Sequence, residues 1–218
     1  MTTPLDRLDA RLAAAQRNDD PYAHWLLRDV LSDDLAHGIP ALPFAPPQIG
    51  DTLGKRETHN SARRFFGTSE QAEHAVCRDV ASLFQSPRIV ARLQALTGAK
   101  LEGNFLRIEY CQDREGFWLE PHTDIGAKKF TMLVYLSDVP DAKDWGTDIY
   151  DATPQHRHLG RAPGDFNRGL IFVPGEDTWH GVEKRPYDGV RKSIIINYVI
   201  PEWRSRHELA FPETPVSV

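Results

Sequence analysis

Apolar positions fall at helical spacing through roughly the first hundred residues and in short strand-like runs after them. Thr3 followed by Pro4 predicts a cap and a first-turn proline, and Leu5, Leu8 and Leu12 then share one helix face. A second helical stretch is expected after Ser69, where Ala72, Ala75, Val76, Val80 and Leu83 keep the same period. Ser86–Pro87 starts a third, and Gly98 stops it. The run "HWLLRDVLS" (24–32) is too short to separate helix from strand. "GIPALPFAPPQIGDTLG" (38–54), with four prolines, predicts a loop or irregular connection.

From about residue 101 the pattern changes. "LEGNFLRIEYCQ", "KKFTMLVYLSD", "GTDIYD", "GLIFVPG", "TWHGVEK" and "RKSIIINYVIP" are short, rich in β-branched and aromatic residues, and punctuated by Gly, Pro, Asp and Asn. That texture belongs to a β-sandwich or barrel. The expectation is one domain over 1–218: a mostly helical support region (1–100), a β core (101–204) and a C-terminal tail (205–218). No internal repeat or low-complexity segment interrupts it.

Composition narrows the function classes. The 218 residues, 40% hydrophobic and 26% charged, suit an ordinary globular chain with a substantial core. No run nears the roughly 18 apolar residues that a membrane span needs, and "MTTPLDRLDARLAAAQRNDD" lacks the plan of a signal peptide. Cys77 and Cys111 are isolated, which predicts a reduced, cytoplasmic setting. A net charge of −5, with basic residues only in pairs (Arg63–Arg64, Lys128–Lys129, Arg191–Lys192), argues against nucleic-acid partners. Oligomeric state is open.

The candidate chemistry lies in "EPHTDIGAKKFTMLVYLSD" (120–138). His122 and Asp124 stand two apart at a strand entrance, where alternation would aim both at one ion. As a lone pair they are more often a hydrogen-bonded turn. His180, in "PGEDTWHGVEKRPYDG", supplies a third ligand, and two imidazoles with one carboxylate are the donor set of a non-haem Fe(II) site. Tyr187–Asp188–Gly189 predicts a reversal that returns the chain beside the His180 strand. On the returning strand Arg191, Ser193, Ile195 and Asn197 share a face. An inward arginine needs a carboxylate, and none stands nearby on that strand, so a small dicarboxylate held by Arg191 and Ser193 is expected to meet it. The bland alternative leaves Arg191 at the strand edge in water.

Four pieces in order resemble the 2-oxoglutarate- and Fe(II)-dependent dioxygenases, particularly the prolyl-4-hydroxylase-like branch: Tyr110 in "RIEYCQDREGFWLEPHTD", the His122-x-Asp124 pair with the strand "KKFTMLVYLSD" after it, His180, and Arg191-x-Ser193. The resemblance covers about residues 104–200. It implies a double-stranded β-helix, a jelly-roll variant mainly of β structure, buttressed by the N-terminal helices. By the same resemblance His122, Asp124 and His180 ligate Fe(II), and Arg191 pairs with the distal carboxylate of 2-oxoglutarate. Ser193, Tyr110, Tyr135 and Thr131 complete the cosubstrate pocket. Further co-reactants so implied are O₂ and, as an accessory reductant, ascorbate.

The implied reaction hydroxylates an unactivated C–H bond of a small-molecule or peptidyl substrate, releasing succinate and CO₂, with no catalytic side chain beyond the metal ligands. Asp124 disfavours halogenation, because the related halogenases put a small residue there. A Ser-His-Asp hydrolase is a poor fit, since no Gly-x-Ser-x-Gly elbow occurs. The rivals are a cupin-like metalloenzyme that uses no 2-oxoglutarate and a non-catalytic ligand-binding β-sandwich. Departures from the family pattern are the lone Gly146 in "DWGTDIYD" and a long polar loop, "DATPQHRHLGRAPGDFN" (151–167), expected at the surface or on a substrate rim. His156 and His158 in that loop make a weak second metal candidate. Trp118, Trp145, Trp179 and the 38–54 segment are candidate pocket or lid residues.

Overall fold

A computed structural model describes residues 2–48, 52–55 and 63–218. Two antiparallel sheets carry the architecture. The larger contains seven strands in the order β1 (Gln16–Asn18), β2 (His24–Leu27), β9 (Arg168–Phe172), β6 (Lys128–Tyr135), β11 (Arg191–Val199), β4 (Phe105–Asp113) and β3 (Arg64–Phe65). The smaller has β5 (Leu119–His122), β10 (His180–Val182), β7 (Asp148–Tyr150) and β8 (His158–Arg161). From β4 onward the chain alternates between them, pausing in the smaller sheet only for β7 and β8.

Among the described residues five α-helices pack outside the larger sheet: α1 (Pro4–Ala13), α2 (Asp33–Gly38), α3 (Thr68–Glu73), α4 (Ala75–Gln85) and α5 (Pro87–Thr97). α1 starts as its sequence requires, with Thr3 Oγ1 accepting from the Asp6 amide at 3.1 Å and Pro4 in the first turn. α5 ends at Gly98, whose φ of +77° only glycine adopts without strain. The stretch after Ser69 is two helices rather than one, broken at the extended His74. None is long and apolar enough to cross a membrane.

The larger sheet has a two-sided character that positions everything else. Leu106, Ile108 and Tyr110 of β4, Phe130, Met132 and Val134 of β6, and Ile194, Ile196 and Tyr198 of β11 face the helices and join their apolar residues in one buried cluster. The Tyr198 hydroxyl donates to the Phe84 carbonyl at 2.6 Å and ties β11 to α4. The alternate residues face the smaller sheet. Across that inner floor, register sets Ser193 between Cys111 and Tyr135, Ile195 between Glu109 and Leu133, and Asn197 between Arg107 and Thr131.

Four expectations need correction. The N-terminal region is more than helical support: its ambiguous "HWLL" is β2, which with β1 extends one edge of the larger sheet, while β3 extends the other. The 151–167 stretch is not all loop, because His158–Arg161 is a strand of the smaller sheet. The Tyr187–Gly189 turn does not close a hairpin; β10 and β11 lie in different sheets. The tail after 204 is packed, with Leu209, Ala210 and Val216 nearly inaccessible. The proline-rich stretch is irregular where described, and its residues 49–51 lie outside the described residues.

Candidate metal centre

His122 and His180 meet because β5 and β10 pair directly at these two positions, with ring centroids 4.4 Å apart. Gly181 permits the approach, since a Cβ there would sit 2.8 Å from the Leu119 carbonyl oxygen. Each imidazole is oriented by a backbone carbonyl two residues earlier: His122 Nδ1 lies 2.8 Å from Glu120 O, and His180 Nδ1 lies 2.9 Å from Thr178 O. A carbonyl only accepts, so Nδ1 carries the proton and Nε2 keeps the lone pair that a metal takes. Burial, then the neighbouring His122, pushes His180 down to about 4, so this ring is neutral at pH 7.

Asp124 arrives by another route than the sequence suggested. β5 ends at His122, and Asp124 lies in the turn beyond it, so strand alternation does not aim it. It is held instead from β6: Thr131 Oγ1 donates to Oδ2 at 2.7 Å and the Lys128 ammonium sits 2.5 Å from Oδ1. Burial would raise its pKa, but the Lys128 charge, then His180 and the hydrogen bonds, outweigh that and keep the carboxylate ionised well below its ordinary range. The donor set, two imidazoles with free Nε2 lone pairs and one carboxylate, suits Fe(II) and equally other imidazole-loving divalent ions.

Lys128 would oppose a dication held by Asp124. Two charges on such an ion and one on an ammonium about 5 Å away would repel by about 1.7 kcal/mol even at the dielectric of water. Lys128→Met is therefore expected to tighten divalent-metal binding roughly tenfold in an anaerobic titration. Unchanged or weaker binding would mean that Lys128 holds Asp124 in its ligating pose.

The triad lines a cavity of about 190 Å³. Its walls include Thr147, Arg191 and Ser193, and also Arg63, Arg107, Glu109 and Trp203. Arg191 is buried at 2% exposure and does have a protein carboxylate, contrary to expectation. Nη1 pairs with Asp113 Oδ2 at 2.6 Å, the residue opposite it on β4, and Nε donates to the Trp145 carbonyl at 2.5 Å. Ser193 Oγ is buried in the cavity wall without a hydrogen-bond partner among the described residues. A buried hydroxyl left this way is costly unless a ligand meets it.

The remaining candidates divide. Thr131 lines the cavity, but its hydroxyl serves Asp124. Tyr135 stands beneath Arg191, 5.8 Å from the guanidinium, and its hydroxyl donates to Thr147 Oγ1 at 2.9 Å and accepts from the Thr147 amide at 3.1 Å. Tyr110 is a correction: it points to the helix side of β4, into the apolar cluster, away from the cavity. Trp145 is core, Trp179 stacks on His156 at 3.7 Å, and Trp118 packs under Gly54; none of the three lines the cavity.

One group of three His, Asp or Glu side chains among the described residues has all its donor atoms within 4.8 Å of one another, and it is not this triad but Asp148, His158 and Glu183. Ion pairing accounts for it. Asp148 Oδ1 accepts from His158 and from Arg161 at 2.7 Å, while Oδ2 accepts from the Glu183 amide and Arg185. A cation there would displace two guanidinium groups.

No protein-family model and no curated protein sequence matches the chain. Solved structures do match it. A prolyl hydroxylase from Trichoplax adhaerens, in complex with a hypoxia-inducible-factor oxygen-degradation-domain peptide, superposes with a TM-score of 0.56 over 89% of this chain and 88% of its own, at 14% identity. A Pseudomonas putida prolyl-4-hydroxylase gives 0.55 over 92% and 94%, at 11% identity. The non-haem α-ketoglutarate-dependent epimerase SnoN of nogalamycin biosynthesis gives 0.54 over 90% and 83%, at 18% identity. The chain thus has the fold of prolyl hydroxylases and of this epimerase, a mainly β architecture consistent with a jelly roll.

Proposed function

We propose that the protein is a 2-oxoglutarate- and Fe(II)-dependent oxygenase built on a double-stranded β-helix. The observation that carries this reading is one cavity holding His122, His180 and Asp124 together with buried Arg191 and the unpartnered Ser193 hydroxyl. The two histidines and Asp124 would hold the metal. Arg191 and Ser193 would hold the far carboxylate of the cosubstrate, and the apolar wall of Leu133, Ile195 and Val182 would keep water from the reacting centre. When bound, the iron supplies the activation of O₂ that splits 2-oxoglutarate into succinate and CO₂ and oxidises the substrate. One oxygen atom enters succinate and, in a hydroxylation, the other enters the C–H bond. Hydroxylation and a related two-electron oxidation of the substrate, desaturation or ring closure, both suit the residues present.

The Arg191–Asp113 pair favours a second reading, a metalloenzyme that uses no 2-oxoglutarate, because the buried guanidinium is already balanced. Opposite signs separate the two. If Arg191 serves the cosubstrate, Arg191→Gln weakens 2-oxoglutarate binding about tenfold or more. Asp113→Asn strengthens it, because a carboxylate competing for the same guanidinium is gone. The measurement is the visible charge-transfer absorption that appears when 2-oxoglutarate is added anaerobically to the Fe(II) protein. Loss of affinity in both variants would mark a purely structural ion pair. No absorption in the wild type, with iron bound, would establish the second reading.

A further inference from the structure

A chain of buried polar side chains runs from the C-terminal segment to the candidate metal ligand Asp124, crossing three strands of the larger sheet. Glu208 Oε2 accepts from Arg107 Nε at 2.6 Å. Arg107 Nη1 donates to Asn197 Oδ1 at 3.1 Å, and Asn197 Nδ2 donates to Thr131 Oγ1 at 2.9 Å. Thr131 Oγ1 donates to Asp124 Oδ2 at 2.7 Å. Arg107, Asn197 and Thr131 are at most 2% exposed, so bulk solvent scarcely reaches these bonds. The three stand side by side because register places Asn197 of β11 between Arg107 of β4 and Thr131 of β6.

The direction of this chain is forced. An arginine side chain has donors and no acceptor, so the Asn197 atom that meets it must be the carbonyl oxygen. The amide nitrogen is thereby turned to Thr131, and to the Phe130 carbonyl at 3.2 Å. An amide nitrogen only donates, so the Thr131 oxygen accepts from it. The single hydroxyl proton of Thr131 is then left for Asp124.

We infer that Arg107, Asn197 and Thr131 form a positioning relay, in which an obligate donor at one end fixes Asp124 Oδ2 as an acceptor at the other and sets the carboxylate for a metal. The inference rests on the proposed metal site and deepens it. It makes Asn197 a positioning residue although it touches neither metal nor substrate.

Asn197→Asp tests the direction. The new side chain fits the same space and still accepts from Arg107, but its second oxygen can only accept, so it takes the Thr131 proton away from Asp124. A simple charge effect has the opposite sign, because a carboxylate added near a dication site tightens binding. The readouts are the dissociation constants for Fe(II) and Co(II) by anaerobic titration and the visible ligand-field absorption of the Co(II) protein. Asn197→Asp and Thr131→Val are each expected to weaken metal binding about tenfold or more, the usual scale for losing an outer partner of a metal ligand. The double variant should be no weaker than Thr131→Val alone, because both act on one proton. Thr131→Ser, which keeps the hydroxyl, should bind within about twofold of wild type.

If Asn197→Asp binds metal as tightly as wild type or more tightly, the relay is wrong. Should that variant not fold, the Thr131 pair decides: equal affinities of Thr131→Val and Thr131→Ser would overturn the inference. A wild type that binds neither ion would instead sink the metal site itself, so the two failures are distinguishable.

Discussion

His180→Ala is expected to abolish specific divalent-metal binding while leaving the protein folded. Affinity should fall more than about 100-fold, beyond the 10–100-fold that an outer partner costs. The reason is the economy of the site: three donors leave nothing in reserve when one of two imidazoles goes. The structural role of the ring is small by comparison. It makes a tilted ring contact with Phe172, at 4.6 Å between centroids, and one hydrogen bond to a carbonyl beside it. Removing a buried neutral ring leaves a void, but no orphaned charge. Circular dichroism and a thermal melt check the fold, and an anaerobic Co(II) or Fe(II) titration reads the binding. His158→Ala is the matching control. Donor atoms of Asp148, His158 and Glu183 lie within 4.8 Å of one another, so a metal that disappears with His158 and survives His180→Ala would place the ion in that group. Binding untouched by His158→Ala and lost with His180 is the outcome that the donor chemistry supports, because Asp148 is already held by two arginines.

The pieces of this site that were legible in the sequence are those whose chemistry is strange for their place. Two histidines and an aspartate around short strands, and an arginine at the head of an isoleucine run, stand out without any structure. What alternation could not settle was which side of a strand is inside. In "FLRIEYCQD" all nine residues of β4 are buried, so the usual contrast of wet and dry faces is missing. The family resemblance turns Tyr110 inward, to the cosubstrate pocket, and gives Arg107 and Glu109 no role there. The structure inverts this, because the inward face borders a polar cavity and the outward face lies under helices. The period-2 alternation of Arg107, Glu109 and Asp113 against Leu106, Ile108 and Tyr110 was the available signal; the rule that charge means solvent concealed it. The partner of Arg191 was missed for a related reason. A carboxylate sought along β11 is found across it, on β4, and cross-strand register is not written in either strand alone.

Tertiary closeness accounts for the other misses. Lys128 is two-sided in the sequence, half of a basic pair, and only the turn at 123–127 brings it onto Asp124. Trp203, from the end of the expected β core, and Glu208, from the expected tail, both follow the last strand, yet the tryptophan lines the cavity and the glutamate anchors Arg107. The lone Gly146 has a local reason: a Cβ there would overlap the Ala162 carbonyl, so the close approach that shapes this end of the smaller sheet needs this glycine.

Arg107→Met is expected to cost about 3–5 kcal/mol of stability, the scale for breaking a buried ion pair from one side. Arg107 is 1% exposed and holds Glu208, Glu109 and Asn197 at once, with the Phe65 ring 4.6 Å and the Trp203 ring 5.4 Å from its guanidinium. Methionine fills much of the stem's volume but offers none of these donors. Glu109 keeps Arg63, which bonds both of its carboxylate oxygens, so it loses least. Glu208 and the Asn197 carbonyl lose the donors they have here, and a Glu208 side chain only 12% exposed has little water to turn to. In a chain of this length such a loss lowers Tm by on the order of 10 °C. Arg107→Met with Glu208→Met should recover part of it, since the stranded carboxylate is then gone. A single variant within about 1 kcal/mol of wild type would show that the cluster relaxes into water. The same variant carries a consequence for the metal: with Arg107 absent, the Asn197 amide is free to turn over, Thr131 loses its imposed direction, and metal affinity should fall even at temperatures where the protein remains folded. Stability and metal binding, measured on one variant, thus read the two ends of a single buried network.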